Sequence, residues 1–300
     1  MRIHHLNCIS ECALGGALLD GRTLGLRACL SVHCLAVESS EGLILVDTGF
    51  GLGDVRSPRT RLSKFFLFMN DPDFRESMTA VRQLEALGYR PEDVRHVVMT
   101  HLDFDHAGGI EDFPQATVHL LLGEQEAALR RWTTLDRMRY RPQQWSGTRA
   151  RWHAYVPGEG ETWFGFSAVR ALEGLSDEIA LVPLVGHTLG HAGVAVHGEA
   201  GWLLLAGDAY FWHGEMDADR PRCTPGLRLY QWMMQKDGAA RRWNQRRLRG
   251  LKSQHGAEVR LICSHDPIEF ERMSGRKLGE PLPAREPVLT EPPRDESVLF

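Results

Sequence analysis

No apolar run in the chain is long enough to span a bilayer. The first residues, Met1-Arg2-Ile3-His4-His5, lack the apolar core of a secretory leader. The expectation is a cytoplasmic protein with no membrane partner. Positive charge is not in surplus either: the formal net charge is −4, which removes any general pull toward nucleic acid. The six cysteines (Cys8, Cys12, Cys29, Cys34, Cys223 and Cys263) contain no CxxC pair, so neither a zinc ribbon nor a disulfide framework is expected. They read as reduced, mostly buried thiols. Neither a linker nor a short repeat divides the sequence. The domain reading is one unit over residues 1–275, followed by a Pro- and charge-rich tail over 276–300, expected as extended surface chain.

What is present is an ordinary globular composition, 43% hydrophobic and 25% charged, in a chain of 300 residues that can bury a large core. Hydrophobic runs punctuated by Gly and Pro predict strands over 2–9, 31–38, 43–46, 96–99, 116–122, 162–171, 179–185, 193–197, 202–206 and 258–263. Helical spacing predicts helices over 73–87, 123–131 and 237–255. In the first of these, Met78, Val81, Leu84 and Leu87 share a face and Gly88 is the stop. Residues 50–72 and 132–160 read as irregular. Strands dominate and helices are interspersed, which predicts a layered α/β architecture with facing sheets and helices outside.

Fourteen histidines are the telling count, because several fall in Gly- or Asp-containing turns that follow strands. The densest stretch is Thr100-His101-Leu102-Asp103-Phe104-Asp105-His106-Ala107-Gly108-Gly109, with four metal-competent side chains within six residues. The paired glycines are expected to let the backbone turn tightly. Three more segments end hydrophobic runs in the same way: Gly186-His187-Thr188-Leu189-Gly190-His191, Gly207-Asp208-Ala209-Tyr210 and Ser264-His265-Asp266-Pro267. Four strand ends on one rim would gather imidazoles and carboxylates into a pocket suited to zinc, iron or manganese.

These segments resemble the metallo-β-lactamase superfamily. Val46-Asp47-Thr48-Gly49 is similar to its strand-ending Asp motif, and His101-Leu102-Asp103-Phe104-Asp105-His106 to its HxHxDH motif. Gly186-His187-Thr188, Gly207-Asp208 and His265 follow in the family's order, and the likeness covers residues 30 to 270. The resemblance implies a four-layer αββα sandwich with two divalent metal ions, zinc first, at one edge of the sheets. By the same resemblance His101, Asp103 and His187 hold one metal, Asp105, His106 and His265 the other, and Asp208 bridges them. Asp47 would hydrogen-bond the ligand loop, and His191 reads as structural. The departure is Asp103, where most of the family has His. It adds a negative charge and keeps manganese and iron open as alternatives.

The implied activity is attack of a metal-bridging hydroxide on the carbonyl of a lactone, ester or thioester, as in the quorum-quenching lactonase-like branch. Asp105 would pass a proton to the leaving group, and Tyr210 would contact the substrate carbonyl. The substrate is a small molecule. Phe65, Phe66, Phe68 and Met69 either line an acyl pocket or pack on the core. The stretch Arg130–Arg151 holds seven Arg and one acid, Asp136. It is either an anion-binding surface or a solvated face. The tail and residues 50–72 are candidate contacts for a homodimer. Two rival readings stand beside the hydrolase: a di-iron redox enzyme, since flavodiiron proteins also carry a carboxylate at the position of Asp103, and a non-catalytic metal-binding protein with an altered site.

Overall fold

The computed structural model describes residues 1–158, 162–169 and 172–284. Two sheets face each other. The larger is formed by β1 (Arg2–Asn7), β2 (His33–Ser39), β3 (Gly42–Val46), β4 (Val94–Val98), β5 (Thr117–Leu121) and β6 (Trp152–Tyr155), which neighbour one another in chain order. A small hairpin, β7 (Thr162–Trp163) and β8 (Phe166–Ser167), precedes the second sheet. That sheet consists of β9 (Ile179–Pro183), β10 (Ala192–Gly198), β11 (Gly201–Leu205) and β12 (Val259–Ile262), in the order β12-β11-β10-β9.

Side chains alternate across each strand, and this places them in layers. Ile44, Val46 and Val98 point between the sheets, where they meet Leu181, Val194, Val196, Leu203 and Leu205. Leu45, Val97 and Val118 point outward onto Val81 and Leu84 of the helix Ala80–Ala86. On the other side, Leu204 and Val182 meet Leu248 and Leu251 of the helix Gly238–His255. The result is the expected helix–sheet–sheet–helix order. No helix among the described residues is long and apolar enough to cross a membrane.

The strand directions position the site. β3 and β4 run parallel, and so do β11 and β12. β9 is antiparallel to β10, which is antiparallel to β11, so β9 runs the same way as β11. Their C-terminal ends therefore lie along one rim, and each is followed by a candidate ligand or its support: Asp47, His101, His187, Asp208 and His265.

Several elements differ from expectation. Residues 50–72 contain three short helices, Leu52–Arg56, Pro58–Arg61 and Lys64–Asn70. The expected helix over 73–87 is a 3-10 turn, Glu76–Met78, and the helix Ala80–Ala86, broken at Thr79. Residues 132–160, expected to be irregular, contain the helix Thr134–Arg139, two 3-10 turns and the edge strand β6. The helix Pro225–Met234 had no clear sequence signal. The expected strand over 162–171 is the β7–β8 hairpin plus a bridge at Val169, with residues 170–171 outside the described residues. Of the tail, residues 285–300 lie outside the described residues. Its first part is fixed to the body: Leu282 packs on the core, and its N–H donates to Gln83 Oε1 at 3.3 Å. The glycines after His106 also work differently from expectation. Gly108 and Gly109 have φ of −61° and −96°, open to any residue. They are needed for close approach: a Cβ on Gly108 would lie 2.2 Å from Asp54 Oδ2 and 2.8 Å from the Gly49 carbonyl oxygen.

Candidate metal centre

The seven candidate ligands are all buried and all meet at the rim. Ligand atoms group as His101, Asp103 and His187; as His101, His106 and Asp208; and as Asp105, His106 and His265. Within each group they lie no more than 4.8 Å apart. Asp208 lies across both sides. Its Oδ2 is 3.4 Å from His187 Nε2 and 3.8 Å from His101 Nε2, while its Oδ1 is 3.3 Å from His106 Nε2 and 3.1 Å from His265 Nε2. Asp105 Oδ2 stands 3.4 Å from His265 Nε2 and 3.7 Å from His106 Nε2.

The imidazoles are aimed by what their far nitrogens touch. His106 Nδ1 lies 2.8 Å from Asp47 Oδ2, and His265 Nδ1 lies 2.8 Å from the Ser31 carbonyl oxygen. His101 Nδ1 lies 2.9 Å from Thr100 Oγ1, whose own proton goes to Asp47 Oδ2 at 2.7 Å. Each acceptor calls for a proton on Nδ1, which leaves Nε2 as the lone-pair atom turned to the centre. Asp47 also accepts from the Thr100 backbone N–H at 2.7 Å. It holds φ of 56°, a left-handed conformation that Asp tolerates better than most residues. The expected role of Asp47 therefore holds. So does the structural reading of His191: its Nε2 accepts the Asp208 backbone N–H at 2.9 Å, and its Nδ1 faces the Leu184 carbonyl oxygen at 3.0 Å.

The donor chemistry fits a divalent cation. His101 Nε2, Asp103 Oδ1 and Asp208 Oδ1 are buried without a hydrogen-bond partner among the described residues, a costly arrangement unless something else binds there. The electrostatics point the same way. Burial disfavours a charged His265, but Asp208 and Asp105 outweigh it and raise its pKa to about 9. His106 is likewise raised, against burial, by Asp208, Asp105 and Asp47. Burial would raise Asp103, but the charges of Arg139 and His101 overcome it and hold the carboxyl well below the usual range. A cation bound among these carboxylates would displace such protons and leave each imidazole neutral, with its Nε2 lone pair free to bind.

Tyr210 is not brought to this cluster. Its hydroxyl donates to the Glu269 carboxylate at 3.0 Å, and its ring is buried with Leu248 and Cys263. The expected contact with a substrate carbonyl is therefore corrected: the backbone turn after Asp208 sends Tyr210 back into the core beneath the second sheet. The aromatic helix Lys64–Asn70 is divided. Phe66 packs into the core at 4.4 Å from Phe104, while Phe65 and Phe68 are 65% and 68% exposed.

Other groups at the site carry no motif. Phe211 stacks on His265 with ring centroids 5.1 Å apart, and Tyr230 meets Phe211 edge-on at 5.4 Å. Burial, followed by Asp105, Glu11, Asp208 and Asp103, pushes the Tyr230 phenol well above its ordinary range. Buried Glu124 accepts from the Leu102 N–H at 2.9 Å and the Thr188 hydroxyl at 2.5 Å, which ties two ligand loops together. Arg139, from the stretch expected to be an anion-binding surface or a solvated face, is fully buried beside Asp103. Signals for Tyr230, Glu124 and Arg139 were weak because each lies outside the ligand motifs in sequence, whereas Phe211 directly follows the Gly207–Tyr210 segment.

A layered sandwich with a rim of imidazoles and carboxylates defines a metallohydrolase. The chain belongs to the metallo-β-lactamase superfamily, whose family model matches residues 27–232. It is 39% identical over 273 residues to a Mycobacterium tuberculosis protein named as a probable metallo-hydrolase, covering 90% of this chain and 82% of that one. It is 33% identical over 123 residues to an N-acyl homoserine lactonase of Bacillus thuringiensis, covering 41% of this chain and 48% of that one. In fold it is similar to a B. thuringiensis AiiA variant that carries N-decanoyl-L-homoserine at its active site. That likeness has a TM-score of 0.67 and 22% identity, and covers 93% of this chain and 97% of the other.

Proposed function

We propose that the protein hydrolyses a lactone, ester or thioester with two divalent metal ions, zinc first among them, and that a lactone is the leading substrate. The observation that supports two ions is Asp208, whose two carboxylate oxygens are divided between the His101/His187 side and the His106/His265 side. The lactonase name of the Bacillus relative supports the substrate class. When bound, such ions supply a nucleophilic hydroxide near neutral pH and polarise a carbonyl oxygen.

The remaining chemistry belongs to this chain. His101, Asp103 and His187 would hold one ion, Asp105, His106 and His265 the other, with Asp208 between them. Asp105 has a carboxyl pKa raised by burial, against the pull of His106 and His265. In this reading it would carry a proton to the leaving oxygen. Tyr230, whose ring meets Phe211, would take the role expected of Tyr210 and donate a hydrogen bond from its phenol to the substrate carbonyl. Phe211 and Tyr230 limit water at the rim, which strengthens each polar contact there.

The test is direct. Bound metal is measured on purified protein, and lactones, p-nitrophenyl esters, thioesters and β-lactams are screened with zinc, manganese or iron. Hydrolysis that His106→Ala abolishes is the expected result. Full metal occupancy without any such hydrolysis overturns the proposal.

A further inference from the structure

Asp103 is the one ligand position where the chain departs from the superfamily pattern described above, and Arg139 is the one fully buried basic side chain of Lys or Arg type among the described residues. They face each other. Arg139 Nε lies 3.5 Å from Asp103 Oδ1, and both atoms are buried without a hydrogen bond. The other Asp103 oxygen, Oδ2, is turned to His187 Nε2 at 3.0 Å and His101 Nε2 at 3.5 Å. The carboxylate is thus shared between a cation site on one side and a fixed cation of the chain on the other.

Arg139 is held in place by contacts that do not involve Asp103. Its two terminal nitrogens donate to the His187 carbonyl oxygen at 2.9 Å and the Met234 carbonyl oxygen at 2.6 Å. The helix that carries it, Thr134–Arg139, has a Thr133 cap and is tied at Asp136 to Lys236 at 2.7 Å. The Lys236 backbone N–H in turn donates to the carbonyls of Gly186 and His187. The guanidinium therefore stands in a rigid socket that also shapes the His187 turn.

Charge gives this socket a meaning. Three carboxylates (Asp103, Asp105 and Asp208) with one guanidinium carry two negative charges. Two carboxylates with a neutral imidazole at position 103 carry the same two. We propose that Asp103 and Arg139 act as one unit in place of that imidazole, with Arg139 a positioning residue that neutralises the added charge and turns Asp103 Oδ2 toward the metal. This inference rests on the two-metal reading. It predicts that the two positions are coupled and that either half alone is defective. Without Arg139, Asp103 is an uncompensated buried charge. With His at 103, the guanidinium faces an imidazole and a metal with no anion between them.

The experiment counts metal rather than turnover. Wild type, R139M, D103H and the D103H/R139M pair are loaded with zinc, dialysed and titrated against a chelator dye. Elemental analysis supplies the stoichiometry. R139M and D103H should each weaken one of the two bound ions by 10–100-fold or more and leave the other within about threefold. The double variant should recover to within about tenfold of wild type, far from the product of the two losses. R139K keeps the charge and should retain more metal than R139Q; this comparison decides the matter where R139M does not fold. Unchanged metal binding in R139M, additive losses in the double variant, or equal losses in R139K and R139Q would overturn the pair. A wild type that binds no zinc would instead sink the two-metal reading, so the two failures are distinct.

Discussion

Asp47→Asn tests how far the site depends on a residue that touches no metal. The Asp47 carboxylate accepts three hydrogen bonds: from the Thr100 N–H at 2.7 Å, the Thr100 hydroxyl at 2.7 Å and His106 Nδ1 at 2.8 Å. Two of them end on the same oxygen, Oδ2. An amide has one accepting oxygen. Placed at Oδ2 it turns its NH2 against the Thr100 N–H, and placed at Oδ1 it turns its NH2 against His106 and the hydroxyl. Either way at least one buried donor is left unmet, at a cost of about 1–3 kcal/mol. The imidazole of His106 loses its charged partner and with it some basicity and aim. On the two-metal proposal, the ion that His106 would hold should lose roughly 10–100-fold in affinity, about 1.4–2.8 kcal/mol. The ion on the His187 side should suffer less, because Asp47 reaches His101 only through Thr100. Competition with a chelator dye gives both constants, and thermal melting of metal-free protein gives the structural part. An Asp47→Asn protein that binds both ions as tightly as wild type would refute the idea that this hydrogen-bond relay aims the ligands.

Gly207 has φ of 54°, and a Cβ there would lie 2.6 Å from His191 Nε2 and 3.0 Å from the Thr100 Cβ. Gly207→Ala should cost roughly 2–3 kcal/mol, from backbone strain and a displaced His191, and should loosen Asp208; denaturant melts and metal titration read the two effects. Phe66→Ala should cost about 3–5 kcal/mol in denaturant unfolding, whereas Phe65→Ala should stay within about 0.5 kcal/mol. Equal effects would mean that the helix Lys64–Asn70 is not seated on the core as described. Burial, with Asp266, raises the Glu269 carboxyl to about 7. Its contribution to stability is then present below the ordinary carboxyl value and lost as pH rises through about 7, by roughly 3 kcal/mol in total. Glu269→Gln should flatten that loss in melting curves of metal-free protein between about pH 4.5 and 7, and a wild-type curve already flat there would show that Glu269 is not held as the structure implies.

The layers were legible because a strand buried on both faces leaves a plain signal. Leu43-Ile44-Leu45-Val46 is a continuous apolar run, as a strand between two layers must be, and Val94–Val98 joins it at Val97-Val98 although Arg95 is exposed and His96 half-buried. The edges were not. β6 begins at Trp152 after a run of Arg and ends at Tyr155, and its half-polar sequence satisfies only one packed face. The break at Thr79 was hidden because Met78, Val81, Leu84 and Leu87 keep helical spacing across it, and all four are buried. Of the site, the seven candidate positions that the fold gathers at the rim stand out in the sequence, since they follow the strands that carry them. Tyr210 is different: the likeness of Gly207–Tyr210 to a lactonase turn suggested a substrate contact, whereas Ala209 and Tyr210 are both buried in the core beneath the second sheet and the Tyr210 hydroxyl donates to Glu269.

Arg139 shows the limit of reading charge in one dimension. A run of seven Arg with one acid looks like a solvated face, and for some of its members that holds: Arg130 lies over the exposed Trp132 ring at 5.1 Å. Others pin backbone instead. Arg141 donates to the Arg61 carbonyl oxygen at 2.8 Å, and Arg151 donates to Phe113 and Ala116. Only the tertiary fold separates these uses, because each depends on which carbonyl or carboxylate another segment delivers. The imidazoles of His101, His106 and His265 are aimed through Thr100, Asp47 and Ser31, none of which touches position 103. A carboxylate at 103 therefore leaves the aim of those three imidazoles intact. What it changes is the local charge, and the one group placed to answer that change is the buried guanidinium 3.5 Å away. On the proposed pairing, the oddity at 103 and one member of the charge run, Arg139, are a single feature of the site, seen from two distant parts of the chain.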